Sequence, residues 1–273
     1  MNPIFDNHCH LDPEKGKGIA AVEEFSKSGG THMLIVNQHS WKDGKTPSDM
    51  TDFEERFYQT IEIVEQATEI LEGRAWAVLG VHPALISRLV AEGQTAKEAG
   101  RFMCDGLDMA AKLIDKGDAI ALKSGRPHYE VSKEIWDTSN EVLRYAISLA
   151  SEREIAVQLH TETTEDLSEV SDWAKEIGHP WEKIVKHFAE GICRGVTPSV
   201  ISRRDELRRA IENGNPFMME TDYLDDPNRP GAVLGIKTVP KRTKTLREEG
   251  HIEMMEVAHI DTPKNVYGID TKE

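Results

Sequence analysis

The chain has 273 residues, enough for one large α/β domain or two small ones, and its 38% hydrophobic and 30% charged residues are ordinary for a globular protein. A net charge of −15 disfavours indiscriminate binding of extended duplex DNA, and no apolar run approaches bilayer-spanning length, so no membrane partner is expected. Cys9, Cys104 and Cys193 lie far apart without Cys-x-x-Cys spacing, which argues against a disulfide framework or a thiolate zinc site. The polar start lacks the layout of a secretory leader, so the expected location is the cytoplasm.

The opening stretch Phe5-Asp6-Asn7-His8-Cys9-His10-Leu11-Asp12 reads as a strand. Residues two apart in a strand point the same way, so His8 and His10 present both imidazoles to one side. An apolar-periodic helix from Ile19 to Phe25 and a strand from His32 to Asn37 follow. Thr51-x-x-Glu54 reads as a capping box for a helix that buries Phe53, Phe57, Ile61, Val64, Ala67 and Leu71. The strand from Ala75 to Val81 then runs into His82-Pro83.

A helix over about 97–115 precedes a strand over 118–123 that ends on Lys123 and breaks at Ser124-Gly125-Arg126-Pro127. Next come a helix over about 132–152, a strand ending on His160, a helix over about 165–177 and a strand ending on His187. Residues 196–201 read as a seventh strand despite Pro198, and 203–213 as a helix, with Arg203, Arg204, Arg208 and Arg209 on a solvated face. The last strand, 216–222, ends on Asp222. A loop over 225–245 carries part of a second basic cluster, Lys237, Lys241, Arg242, Lys244 and Arg247, and short helices over 252–257 and 264–269 close the chain.

Eight strand-like segments alternating with helices give the pattern of an α/β, (β/α)8 TIM barrel, one domain over 1–273, with reactive groups at the C-terminal ends of the strands. Those ends carry His8, His10, His82, Lys123, His160, His187 and Asp222. Several imidazoles with a carboxylate fit Zn, Mn, Fe or Ni better than the oxygen cage suited to Mg.

The pieces DNHCHLD (6–12), GVHPA (80–84), AIALKSGRPHY (119–129), QLHTE (158–162), KHF (186–188), ETDYLDDPNRPG (220–231) and NVYGI (265–269) resemble, in order and from end to end, the TatD-related metal-dependent hydrolases of the amidohydrolase superfamily, in an archaeal-like branch. The resemblance implies a binuclear site for two divalent ions, zinc first, with Mn, Fe, Ni or Mg as alternatives. It places one ion on His8, His10 and Asp222 and the other on His160 and His187, with a bridging ligand from the fourth strand. In that family the bridge is a glutamate; alignment through Gly125-Arg126-Pro127 puts Lys123 there instead. An ammonium cannot bridge two cations, but a neutral amine can take up carbon dioxide as a carbamate, as in phosphotriesterase-like relatives, and so supply the missing anion.

The implied function is hydrolysis by a hydroxide shared between the ions, with Asp222 handling its proton and His82, Arg126, His128 and Arg229 contacting substrate. Lys237, Lys241 and Arg242 are further candidates for framing an anionic group. A phosphoester is the first substrate class, either a small phosphate ester or an oligonucleotide end. A lactone, phosphotriester or amide is the alternative that Lys123 favours, and a non-catalytic metal-dependent binding protein is the third reading. Phosphate-loop, dinucleotide and Gly-x-Ser-x-Gly signatures are absent from the sequence.

Overall fold

Strands and helices alternate from the first turn of the chain. The structure is a computed structural model, and it describes residues 2–39, 41 and 44–272. In chain order come β1 (Phe5–His10), α1 (Ile19–Lys27), β2 (His32–Val36), α2 (Met50–Ile70), β3 (Ala75–Gly80), α3 (Leu85–Ala91) and α4 (Ala96–Asp115). These lead into β4 (Ala121–Gly125), α5 (Lys133–Arg153), β5 (Ala156–His160), α6 (Ser168–Ile177), β6 (Ile184–Ala189) and β7 (Thr197–Ile201). The last third holds α7 (Arg204–Asn213), β8 (Met218–Glu220), β9 (Tyr223–Leu224), α8 (Thr238–Glu248), α9 (Ile252–Glu256) and α10 (Thr262–Tyr267).

All strand pairs are parallel, and each strand neighbours the next in sequence from β1 to β8. β9 continues the β8 segment past Thr221-Asp222 and pairs with β1, Cys9 opposite Tyr223 and His10 opposite Leu224, so the sheet curls back on its first strand as a TIM-type barrel. Apolar side chains fill the inner floor: Phe5, Leu34, Val36, Val78, Ala121, Ala156, Val185 and Met218 pack together, with Val266 and Ile269 from the C-terminal segment against them. The larger cluster, including Phe25, Phe53, Phe57, Leu79, Leu107, Leu143 and Val170, lies between sheet and helices. The floor is therefore sealed, and polar side chains two to four residues further along the same strands are left to line the mouth.

The sequence reading needs correction in several places. The cap of α2 is Asp49 with Asp52, not Thr51 with Glu54, because an aspartate preceding the helix accepts its amide protons as well as a threonine does. β4 runs to Gly125, so Lys123 is mid-strand. Among the described residues no helix joins β6 to β7; residues 190–196 pass as a short strap that bridges Asp166 through Arg194. Much of the expected loop over 225–245 is α8, which buries Val239, Thr243 and Leu246; Pro240 disguises it but sits in the first turn, where its missing N–H costs no helical bond. α3 lies where no element was expected.

Candidate metal centre

A bulge in β1 between Asp6 and Cys9 resets the strand's alternation. Phe5 stays in the floor, while His8 and His10 both turn toward the mouth with their Nε2 atoms 3.2 Å apart. Each ring is pinned from behind. Gln158 donates its amide to the Asn7 carbonyl and the Tyr267 hydroxyl, so its Oε1 accepts from His8 Nδ1 at 2.6 Å. The Val36 carbonyl accepts from His10 Nδ1 at 2.8 Å. With both Nδ1 atoms protonated, both Nε2 atoms offer lone pairs to the same point.

Lys123 reaches that point from β4, its Nζ 3.3 Å from His8 Nε2 and 3.5 Å from His10 Nε2. Gly80 lies opposite it on β3, where a Cβ would stand 1.9 Å from the Lys123 carbonyl oxygen, so only glycine lets the strands meet there. Gly125 does the same opposite His160, at a φ of 154° with the His160 carbonyl oxygen 1.8 Å from where its Cβ would be. Burial pulls the Lys123 ammonium down to about 8, against the opposing pull of Asp222 and Glu220.

Asp222 sits between β8 and β9 in the left-handed region, φ 45°, with its N–H donating to the His8 carbonyl at 2.9 Å. Its Oδ1 lies 3.8 Å from His8 Nε2 and 3.9 Å from His10 Nε2. Burial raises its carboxyl to about 6, opposed by Lys123 and Lys186. On the other side, His160 Nδ1 and His187 Nε2 are 2.9 Å apart, and the His187 ring stacks on His8 with centroids 4.0 Å apart. Glu220, two residues before Asp222, holds His187 Nδ1 at 3.2 Å while also accepting from the Phe188 amide and the Ser199 hydroxyl. Burial, then Asp222, pushes the Glu220 carboxyl up. Burial is likewise the first cause holding His8, His10, His82, His160 and His187 well below the usual imidazole range, so they stand neutral.

The residues fit divalent ions on their own chemistry. His8, His10 and Asp222 form one group whose donor atoms lie within 4.8 Å of one another, and His8, His187 and Glu220 another. Lone pairs of buried neutral imidazoles converge with carboxylates at the end of a rigid barrel, and Lys123 brings its amine within 3.5 Å of both His8 and His10 Nε2 atoms.

The cavity above them holds about 300 Å³ and is lined by His10, His82, Lys123, His128, His160, His187, Asp222 and Arg229, together with Asn37, Gln38 and His39. His128 Nδ1 is 2.9 Å from His160 Nε2, and the His82 ring lies tilted against His160 with centroids 4.4 Å apart. Past His128 the mouth widens over Tyr129, Trp136 and Glu162. Arg126 does not line this cavity. It is buried, ion-paired to Glu162 and Glu169, hydrogen-bonded to Asn140, and laid over the Trp136 ring at 4.6 Å. Lys237 pairs with Glu24, and Lys241 and Arg242 are on α8, away from the cavity. The sequence reading missed Glu220, Gln158 and His39. Glu220 and Gln158 each precede a named site residue by two, the spacing that puts strand residues on one face, and that was the available signal.

The profile of TatD-related DNases matches residues 5–267. A protein of uncharacterised function from Methanocaldococcus jannaschii is 36% identical over 98% of this chain and 96% of its own length. In fold the chain is similar to an organophosphorus hydrolase from Deinococcus radiodurans, with TM-score 0.65, 12% identity and 98% and 93% of the two chains covered. It is similar also to a lactonase from Listeria monocytogenes, with TM-score 0.64, 13% identity and 97% and 94% covered. Profile and relative together place the chain in the family of TatD-related DNases, metal-dependent hydrolases.

Proposed function

We propose that the chain hydrolyses a phosphoester at a binuclear centre whose bridging anion is a carbamate on Lys123. The observation that carries this reading is the position of Lys123 Nζ, buried and within 3.5 Å of the Nε2 atoms of both His8 and His10. His8, His10 and Asp222 would hold one ion, His160 and His187 the other. Carbamate formation joins the neutral Lys123 amine to carbon dioxide and releases one proton, converting the one basic member of the set into a two-oxygen anion. When bound, the ions supply Lewis acidity and a water of lowered pKa.

The protein's own groups do the rest. Asp222, at the cavity wall and raised to about 6, takes the proton of the attacking water and returns it to the leaving oxygen. Arg229, exposed on the loop after β9 and lining the cavity, meets the anionic part of the substrate. The 300 Å³ cavity admits a small ester or a chain end and not a duplex.

A second reading, a lactone, phosphotriester or amide hydrolase, is favoured by Lys123 itself, standing where a carboxylate would otherwise be expected. Hydrolysis of a panel of phosphomonoesters, phosphodiesters, lactones and oligonucleotides by the metal-loaded protein separates the two, with Asp222→Asn as control. Turnover of the phosphoesters that Asp222→Asn abolishes sustains the first reading. Turnover confined to lactones replaces it with the second, and activity that survives the control removes Asp222 as the proton carrier.

A further inference from the structure

Three arginines on the outer wall, beside the catalytic rim, are arranged for a ligand that the metal site does not use. Arg204 and Arg208 stand one turn apart on α7, Arg242 faces them from α8, and the three line one hollow of about 90 Å³. In a chain with 48 acidic and 33 basic residues, Arg74, Arg126, Arg144, Arg153, Arg194, Arg203 and Arg209 are ion-paired to carboxylates, while Arg88 and Arg247 donate to backbone carbonyls. Among the described residues neither Arg204, Arg208 nor Arg242 is ion-paired to a carboxylate, and Glu249 is the single acid lining the hollow.

Arg242 Nε is buried and has no hydrogen-bond acceptor. A buried donor atom without a partner is costly, and bringing like charges together adds to that cost, so an anion among the three relieves both. Burial first, then Arg204, holds the Arg242 guanidinium below its usual range, a sign of the same imbalance.

We infer that Arg204, Arg208 and Arg242 form an anion site for a phosphate group, separate from the metal centre. Planar guanidinium forks converging from two helices match the several oxygens of a phosphoryl group. The hollow also lies near the mouth: Arg203, next to Arg204, lays its guanidinium over the Phe188 ring at 5.3 Å, and Phe188 follows His187. A phosphate there is either free inorganic phosphate or a second phosphate carried by the substrate beyond the cavity.

The binding arm of the test does not depend on the hydrolytic reading. Inorganic phosphate is titrated calorimetrically, at low ionic strength, into metal-loaded wild type and into the double variant Arg204→Ser/Arg208→Ser, both exposed positions, with circular dichroism as the check that the variant is folded. Wild type is expected to bind phosphate at two places, the metals and the hollow. The variant loses the second or binds it at least tenfold more weakly, and Arg242→Met, which keeps the apolar stem, does the same. Identical isotherms for wild type and both variants overturn the site. A kinetic arm separates the sources through kcat/KM for a singly phosphorylated ester and for the same ester bearing a further phosphate. A drop of tenfold or more in that ratio for the double variant assigns the hollow to the substrate, and an unchanged ratio alongside lost phosphate binding assigns it to free phosphate.

Discussion

The two halves of the histidine cluster are built differently. Around His8 and His10 the rings are fixed by neutral acceptors, the Gln158 amide oxygen and the Val36 carbonyl, and a carboxylate, Asp222, stands directly beside them. Around His160 and His187 one ring is fixed by a buried carboxylate, Glu220, and the other has only imidazoles about it, those of the exposed His128, His82 and its neighbour His187 among the described residues. The first half owns a complete donor set. The second has two imidazoles with Glu220 behind one of them, and under the proposed function its anion comes from the carbamate on Lys123.

The largest expected effect follows from that dependence. Lys123→Ala should empty the second half and lower kcat by about a thousandfold, within the range of losses for removing a group central to charge stabilisation. Lys123→Glu, which installs the carboxylate directly, should recover most of the rate without bicarbonate. Steady-state kinetics on the preferred ester measure both, and a Lys123→Ala variant as active as wild type would abolish the asymmetry.

Next in size is Glu220→Gln. Replacing the carboxylate behind His187 should weaken metal binding in the second half about 10- to 100-fold and leave the first half unchanged. Chelator competition followed by metal analysis resolves the two halves, and equal weakening of both would show that they act as one unit.

Two further predictions mark the borders of the site. His259, fully buried, accepts the Phe5 amide at Nδ1 and so carries its proton on Nε2, toward the Thr243 hydroxyl. Burial, then Arg247, lowers it from 6.5 to about 3. Since the folded state refuses a proton that the unfolded chain binds, His259 contributes stability that is complete above about pH 6.5 and is lost as pH falls toward 3. His259→Gln should reduce the stability lost along that acid limb by up to about 5 kcal/mol, as read by denaturant unfolding across pH. A limb of unchanged slope contradicts this assignment. The smallest effect belongs to Arg126→Met. With its guanidinium committed to Glu162, Glu169 and Asn140, the loss should appear as about 1–2 kcal/mol of stability and leave kcat within about twofold. A large fall in kcat instead would return Arg126 to the substrate.

What the sequence made legible follows the same division. Period-two strands with His, Lys or Asp at or near their ends made the barrel legible, and with it the gathering of His8, His10, Lys123, His160, His187 and Asp222 at one mouth, because a parallel barrel brings strand ends together by construction. The supports behind them were not legible. Gln158 and Glu220 act through hydrogen bonds to rings on other strands, and nothing local distinguishes a buried orienting carboxylate from an ordinary strand residue. The strap over 190–196 escaped notice for a related reason: its contacts are to residues 165–167, more than twenty positions back. The ion pairs of Arg126 were not legible either, because a loop arginine looks the same in sequence whether it meets substrate or two glutamates.

Metal analysis of the purified protein, saturated with zinc and washed, tests the central idea most directly. Two ions per chain in the presence of bicarbonate, falling to one after exhaustive removal of carbon dioxide, is the result expected from paired sites joined through Lys123. One ion or none under both conditions contradicts the paired centre, and two ions under both contradicts the role given to the lysine.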